Sequence, residues 1–235
     1  MYGSYLFGGF MFVGGWTIMT IAMMLPTSIP LIGIFSRIAQ DRADRSLLTA
    51  LVVLGYLAVW CTFGVLAFGA AIGVRAGFGK IEVADPTNRL LIAGALFLAG
   101  AFQFSALKYK CLSKCRSPFS FVVAHWTGKR HWREALWLGI DHGLFCVGCC
   151  WTLMLLMLVV SVANLALMLV LGVIMAGEKN LRWGGKVVKP VGVLLITVSL
   201  VIALDADPLV SASRGLFRIN ETSYCSANGQ NPAKP

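Results

Sequence analysis

Apolar residues are grouped into long segments along the chain, and short basic stretches separate them. Runs of about 18 or more apolar residues are typical of helices that cross a lipid bilayer. The pattern therefore predicts an all-α fold, a polytopic membrane helix bundle of about six transmembrane helices. The lipid bilayer is then an expected partner of the protein. The predicted spans cover residues 6–34, 47–74, 90–107, 135–160, 163–177 and 187–204.

Two features of the pattern refine these spans. Pro26 and Pro30 remove backbone donors in the first span, so we expect its helix to bend there. The apolar block over residues 135–176 would be about 60 Å long as a single helix, about twice the hydrocarbon thickness of a bilayer. It must therefore fold back on itself, and we place the turn near residues 161–164.

Basic residues in the loops predict how the spans are oriented. With six spans, fourteen of the 20 Lys and Arg residues lie in loops on one side of the membrane. The positive-inside rule places that side in the cytoplasm and both termini outside. The net charge of +10 is then explained by cytoplasmic loops, and nucleic-acid binding is not expected.

Composition divides the chain into two parts. Hydrophobic residues make up 58% of it and charged residues only 13%, about half of the roughly 25% charged residues in soluble domains. Residues 1–204 form the predicted transmembrane bundle, and residues 205–235 form a polar tail that we expect to be loosely ordered. Six of the seven cysteines lie in or beside apolar segments, which is not the pattern of a secreted disulfide scaffold.

The fourth span concentrates sulfur in the stretch GLFCVGCCWTLMLLM. At about 100° per residue, an imidazole, three thiols and two thioethers share one helical face. The predicted metal ligands on this face are His142, Cys146, Cys149, Cys150, Met154 and Met157. Such a set selects Cu(I), and zinc is less favoured when thioethers take part. The alternative is that Cys and Met serve here as packing hydrophobes.

A second pair of thiols lies in KYKCLSKCRSP, after the third span. Cys111 and Cys115 are four residues apart, so they share a helical face, together with Gln103, if the helix continues to Pro118. This pair can bind one soft metal ion. It can equally be an interfacial pair of cysteines with no ligand role.

Two more segments carry candidate residues. In the first span, Met19 and Met23 lie one turn apart, where they can transfer Cu(I) or simply pack. At the end of the fifth span, Glu178 and Lys179 are interpreted as marking the edge of the membrane rather than its interior.

Three stretches in this order, AMMLPTSIPLI, FQFSALKYKCLSKCRSP and GIDHGLFCVGCCWTLMLLM, resemble a bacterial family of predicted metal-binding integral membrane proteins. One branch of that family is associated with copper supply to tyrosinase-type polyphenol oxidases. The resemblance implies a place in the bacterial inner (cytoplasmic) membrane. The family's metal-binding positions correspond to Met23, Met24, Cys111, Cys115, His142, Cys146, Cys149, Cys150 and Met154. The chain departs from the family at Ser161 and Ala163, where Gly and Met are expected.

Three functions remain open at this point. The first is a copper accessory protein that binds Cu(I) between its helices and supplies it to a copper-dependent oxidase, with Cys111 and Cys115 as a cytoplasmic exchange site. The second is a thiol–disulfide relay between Cys146/Cys149 and Cys111/Cys115. The third is a structural subunit of a membrane complex. No nucleotide-binding motif or catalytic residue is predicted, so an enzyme is the less favoured interpretation.

Overall fold

The computed structural model describes residues 2–78, 86–128, 130–160 and 165–204. Within these ranges the chain consists of helices joined by turns and short loops, which confirms the all-α prediction. The helices are α1 (Tyr2–Met23), α2 (Leu25–Ile38), α3 (Arg45–Phe78), α4 (Pro86–Phe102), α5 (Ala106–Cys115), α6 (Pro118–His125), α7 (His131–Val160), α8 (Leu165–Asn180) and α9 (Gly184–Ala203).

Among the described residues, three helices are long and apolar enough to cross a membrane: α3, α7 and α9. Two bent pairs, α1 with α2 and α4 with α5, raise the number to five if each pair counts as one span. Six spans stay a prediction, because α8 has only 16 residues. The predicted turn at residues 161–164 and the predicted tail at 205–235 lie outside the described residues, although α7 and α8 are separate helices on either side of that turn.

The first predicted span is divided at Met24, where α1 and α2 meet at 62°. Pro26 occupies the first turn of α2, where its missing N–H costs no helical hydrogen bond. The Thr27 hydroxyl donates to the Met24 carbonyl at 2.7 Å and adds a donor at the bend. The predicted bend is therefore confirmed, and it buries the Met24 side chain completely.

A second break separates α4 from α5, which meet at 64°. The prediction of one helix running to Pro118 is wrong, because the helix is interrupted over residues 103–105. Ser105 caps α5, since its hydroxyl accepts from the Lys108 N–H at 3.1 Å. Gln103 therefore lies in the break and not on a helical face shared with the two thiols of α5.

α7 is the central helix of the bundle and contacts α3, α4, α5, α6 and α8. Its most extensive contact is with α3, where glycines on both helices let the backbones approach closely. A Cβ added at Gly55 would lie 2.5 Å from the Leu136 carbonyl oxygen, and one added at Gly139 would overlap the Val52 backbone. This contact fixes the helix that carries three of the predicted thiol ligands.

Candidate metal site

The three thiols of α7 lie in the interior of the bundle. Cys146, Cys149 and Cys150 are each at most 2% exposed. The Cys149 thiol donates to the Cys146 carbonyl at 3.1 Å, and the Cys150 thiol donates to the same carbonyl at 2.9 Å. Helical spacing alone gathers these three groups, so their proximity follows from the sequence. Their other neighbours come from four different helices.

A thioether at the α1–α2 bend lies against this group. Met24 Sδ is 3.9 Å from Cys150 Sγ. The helical pattern predicted the preceding residue, Met23, as the ligand, and the family resemblance implied both methionines. Met23 is half-buried and places its methyl carbon against Gly172 of α8. The bend thus brings Met24, rather than Met23, into contact with a thiol.

The other predicted methionine ligands lie in the same apolar core. Met154 and Met157 follow the thiols along α7, and Met19 lies on α1. All three are buried in the core cluster that also contains the thiols. Among the described residues, the thioether that is placed to accept a hydrogen bond from a thiol is that of Met24.

A charged side chain from α8 lies among these sulfur atoms. The Lys179 ammonium is 2.9 Å from Cys146 Sγ and 3.9 Å from Cys150 Sγ. It is also 3.6 Å from Met24 Sδ and 3.5 Å from the Thr27 hydroxyl. Lys179 is only 7% exposed, so it lies inside the protein and not on its surface. A buried ammonium requires compensating negative charge, and the neighbouring thiols can supply it as thiolates.

Glu178, the neighbour of Lys179, is engaged elsewhere. Its carboxylate accepts from the Lys108 ammonium at 2.7 Å and from the Gln103 amide at 3.5 Å. The two charged side chains are 1% and 3% exposed, so they form a buried ion pair. Because Glu178 is paired with Lys108, the groups that face Lys179 among the described residues are sulfur and hydroxyl groups.

α3 and the start of α7 form another wall of the site. The Tyr56 hydroxyl is 3.1 Å from Cys146 Sγ. Its ring stacks on the His142 ring with the centroids 5.7 Å apart. His142 Nε2 lies 3.1 Å from the Ser28 hydroxyl on α2. The predicted ligand His142 is therefore buried one turn before the thiols, with its ε nitrogen engaged by α2.

The second predicted pair of thiols lies against the first. The Cys115 side chain on α5 lies close to the Cys149 thiol on α7. Cys111 contacts the α7 backbone, since a Cβ added at Gly148 would lie 2.7 Å from its Sγ. The sequence predicts two separate clusters, and the structure joins them because α5 packs on α7.

The donor set limits which metal ion the site can take. Among the described residues, no three His, Cys, Asp or Glu side chains are arranged to hold a metal ion. Zinc takes four ligands in its structural sites, whereas two thiolates are sufficient for Cu(I) and a thioether can join them. Cys146 and Cys150 with Met24, or Cys115 with Cys149, provide such a set.

Sequence reasoning missed two side chains of this site, Lys179 and Tyr56. Lys179 lies one helical turn after Met175, which is 1% exposed, so the two share the inner face of α8. That spacing is the signal by which the buried ammonium could have been found. Tyr56 is a polar group within an otherwise apolar span, but the sequence does not indicate that it lies beside Cys146.

Comparison with known proteins agrees with this picture. The family model of PpoB2, a copper chaperone, matches residues 13–202. No curated protein and no solved structure matches the chain. The matched range contains every thiol of the site, and it confirms the resemblance to a copper-accessory family that was drawn from the sequence. The chain belongs to the PpoB2 family of copper chaperones.

Proposed function

We propose that this protein binds Cu(I) between its helices and supplies it to a copper-dependent oxidase of the polyphenol oxidase type. Family membership identifies copper as the cargo. The observation that supports the place of binding is the buried cluster in which Cys146, Cys150 and Met24 surround the Lys179 ammonium. Cys115 and Cys149 extend this cluster towards α5.

The chemistry of the cluster favours the cuprous ion. Thiolates and thioethers are soft ligands that select Cu(I) over harder cations. Burial keeps water from competing for the metal, and the Lys179 ammonium compensates part of the thiolate charge. Further ligands that we propose, for binding or for movement of copper within the core, are Cys111, His142, Met154, Met157, Met19 and Met23.

We propose that the site lies within the bacterial inner membrane, in a multi-pass bundle with both termini outside. Apolar side chains on the outer surface of the helices support this location, since Phe10, Leu66 and Val173 are 76%, 66% and 71% exposed. Lipid would cover such residues at no cost. The basic loops then face the cytoplasm.

The thiol contact between α5 and α7 favours a second candidate, a thiol–disulfide relay. Cys115 and Cys149 belong to different helices and lie close to each other, so they could exchange between thiols and a disulfide. Such a relay gives no role to Met24, because thioethers do not take part in thiol exchange.

Copper analysis of the purified protein tests the proposed function. The protein in neutral detergent, with its thiols reduced, is loaded with Cu(I) without oxygen and assayed for bound copper. A triple variant, Cys146→Ser, Cys149→Ser and Cys150→Ser, is compared with Cys61→Ser. The latter is a matched control, since Cys61 lies on α3 and contacts the Thr17 hydroxyl at 3.3 Å.

We expect stoichiometric copper in the wild type and in Cys61→Ser, and loss of copper in the triple variant. Equal copper content in all three proteins would overturn the proposal. A wild type that binds no copper but forms a reversible disulfide between α5 and α7 would establish the relay instead.

A further inference from the structure

A cavity of about 140 Å³ lies beside the sulfur cluster. Pro30 and Asn180, which are exposed, line it on the side of the protein surface. Cys115, Arg116 and Lys179 also line it. Since the Lys179 ammonium contacts the Cys146 thiol, the cavity reaches the residues of the cluster.

Two cationic side chains, Arg116 and Lys179, line this cavity. Among the residues that the structure describes, no Asp or Glu lines it. The Arg116 guanidinium is held in place, because it donates to the Leu181 carbonyl at 2.9 Å and to the Arg182 carbonyl at 2.7 Å. A carbonyl is neutral, so these hydrogen bonds orient the guanidinium without cancelling its charge.

This charge distribution decides which form of copper the cavity admits. A free Cu(I) ion, or a cationic complex of it, would be repelled by the Arg116 and Lys179 side chains. A Cu(I) ion carried by two thiolates has one net negative charge and would be attracted. The same charge balances the Lys179 ammonium once the metal is bound.

We propose that copper reaches the cluster through this cavity as an anionic Cu(I) bis(thiolate) complex, guided by Arg116 and paired at the inner end with Lys179. The proposal rests on the proposed function, because it requires that the sulfur cluster binds Cu(I). It identifies the chemical form of the cargo, which membership of the family does not determine.

Transfer then proceeds by ligand exchange without any change of oxidation state. Cys115, which lines the cavity, forms a Cu–S bond as the bond from copper to one carrier sulfur breaks, and its thiol proton leaves on the carrier thiol. Cys149, which lies close to Cys115, displaces the second carrier thiolate in the same way. The product is a Cu(I) bis(thiolate) of the protein, with the net charge unchanged at each exchange.

The test compares the rates of copper uptake from two Cu(I) donors, the anionic glutathione complex and the cationic acetonitrile complex. The protein is studied in neutral detergent without oxygen. Four variants are measured beside the wild type: Arg116→Gln, Arg116→Lys, Asn180→Asp and Lys114→Gln. Lys114 is the matched control, since it is an exposed base on α5 next to Cys115 and does not line the cavity.

We expect Arg116→Gln to slow uptake from the anionic donor at least roughly tenfold, without slowing uptake from the cationic donor. Arg116→Lys should restore the rate, and Lys114→Gln should leave it unchanged. Asn180→Asp is an exposed substitution that adds negative charge at the outer end of the cavity. It should slow copper uptake from the anionic donor and accelerate uptake from the cationic donor.

Two kinds of failure are distinguishable. In the first, the wild type binds copper, but the Arg116 and Asn180 variants either change the uptake rates from the two donors equally or change neither rate. This inference is then wrong and the proposed function stands. If the wild type binds no copper from either donor at equilibrium, the proposed function itself fails.

Discussion

Replacing Lys179 with methionine should separate copper affinity from the stability of the fold. Lys179→Met removes the ammonium that lies 2.9 Å from Cys146 Sγ and leaves a side chain of similar length. Its surroundings, Met24 and the apolar core near Met175, can accommodate a thioether. The substitution therefore removes a charge without opening a cavity.

The two expected effects differ in size and direction. Without the ammonium, a bound Cu(I) bis(thiolate) becomes a buried anion with no partner, and removing one partner of a buried pair costs about 3–5 kcal/mol. Since about 1.4 kcal/mol corresponds to a factor of ten, copper binding should weaken roughly 100- to 4,000-fold. The free energy of unfolding should stay the same or rise, because the Cys146 thiolate can take up a proton once the ammonium is gone and then leaves no unpaired buried charge.

The assay is competition for Cu(I) against a chromophoric chelator, together with thermal unfolding of the copper-free protein. Lys186→Met, which removes an exposed lysine from α9, is the matched control and should change neither quantity. An affinity of Lys179→Met within about threefold of the wild type would refute the role of Lys179 as the counter-cation of the bound metal.

Three further predictions follow from particular contacts. Met24→Leu should weaken Cu(I) binding in the same competition assay, while Met11→Leu, at a 63% exposed methionine of α1, should not. Gly139→Ala should lower the unfolding free energy by about 1–3 kcal/mol, because the new Cβ overlaps the Val52 backbone. Gly94→Ala, with open space around the new Cβ, should not lower it. Equal thermal stabilities of the two variants would contradict the close packing of α3 on α7. Glu178→Gln should destabilise the protein by about 3–5 kcal/mol, because it leaves the Lys108 ammonium buried and unpaired. The double variant Lys108→Met with Glu178→Leu should unfold at a temperature closer to that of the wild type.

The sequence predicts those parts of the site that a single helix determines. Cys146, Cys149 and Cys150 are brought together by helical spacing alone, and the prolines predict the bend of the first span. The break before α5 was missed, because Ser105 caps a new helix without a proline or glycine to mark it.

The remaining parts depend on how helices pack, which local patterns do not encode. Whether Met23 or Met24 faces the thiols depends on the rotation of the chain at the bend. Lys179 and Tyr56 meet Cys146 from different helices, across 33 and 90 residues of sequence. A charge at the end of an apolar segment is interpreted as exposed until the neighbouring helices are in place around it.

The glycine contact between α3 and α7 has a consequence for how copper is released. Because the backbones of α3 and α7 are in contact, neither helix can rotate or slide without a steric clash. The thiols of α7 are therefore held in a fixed position. On the opposite side of the proposed site lie Met24, at the proline-bent junction of α1 and α2, and Lys179, near the C-terminal end of α8. For the site that we propose, copper would be released by moving the thioether and the ammonium away from a fixed set of thiols, so we expect an acceptor protein to act on α2 or α8.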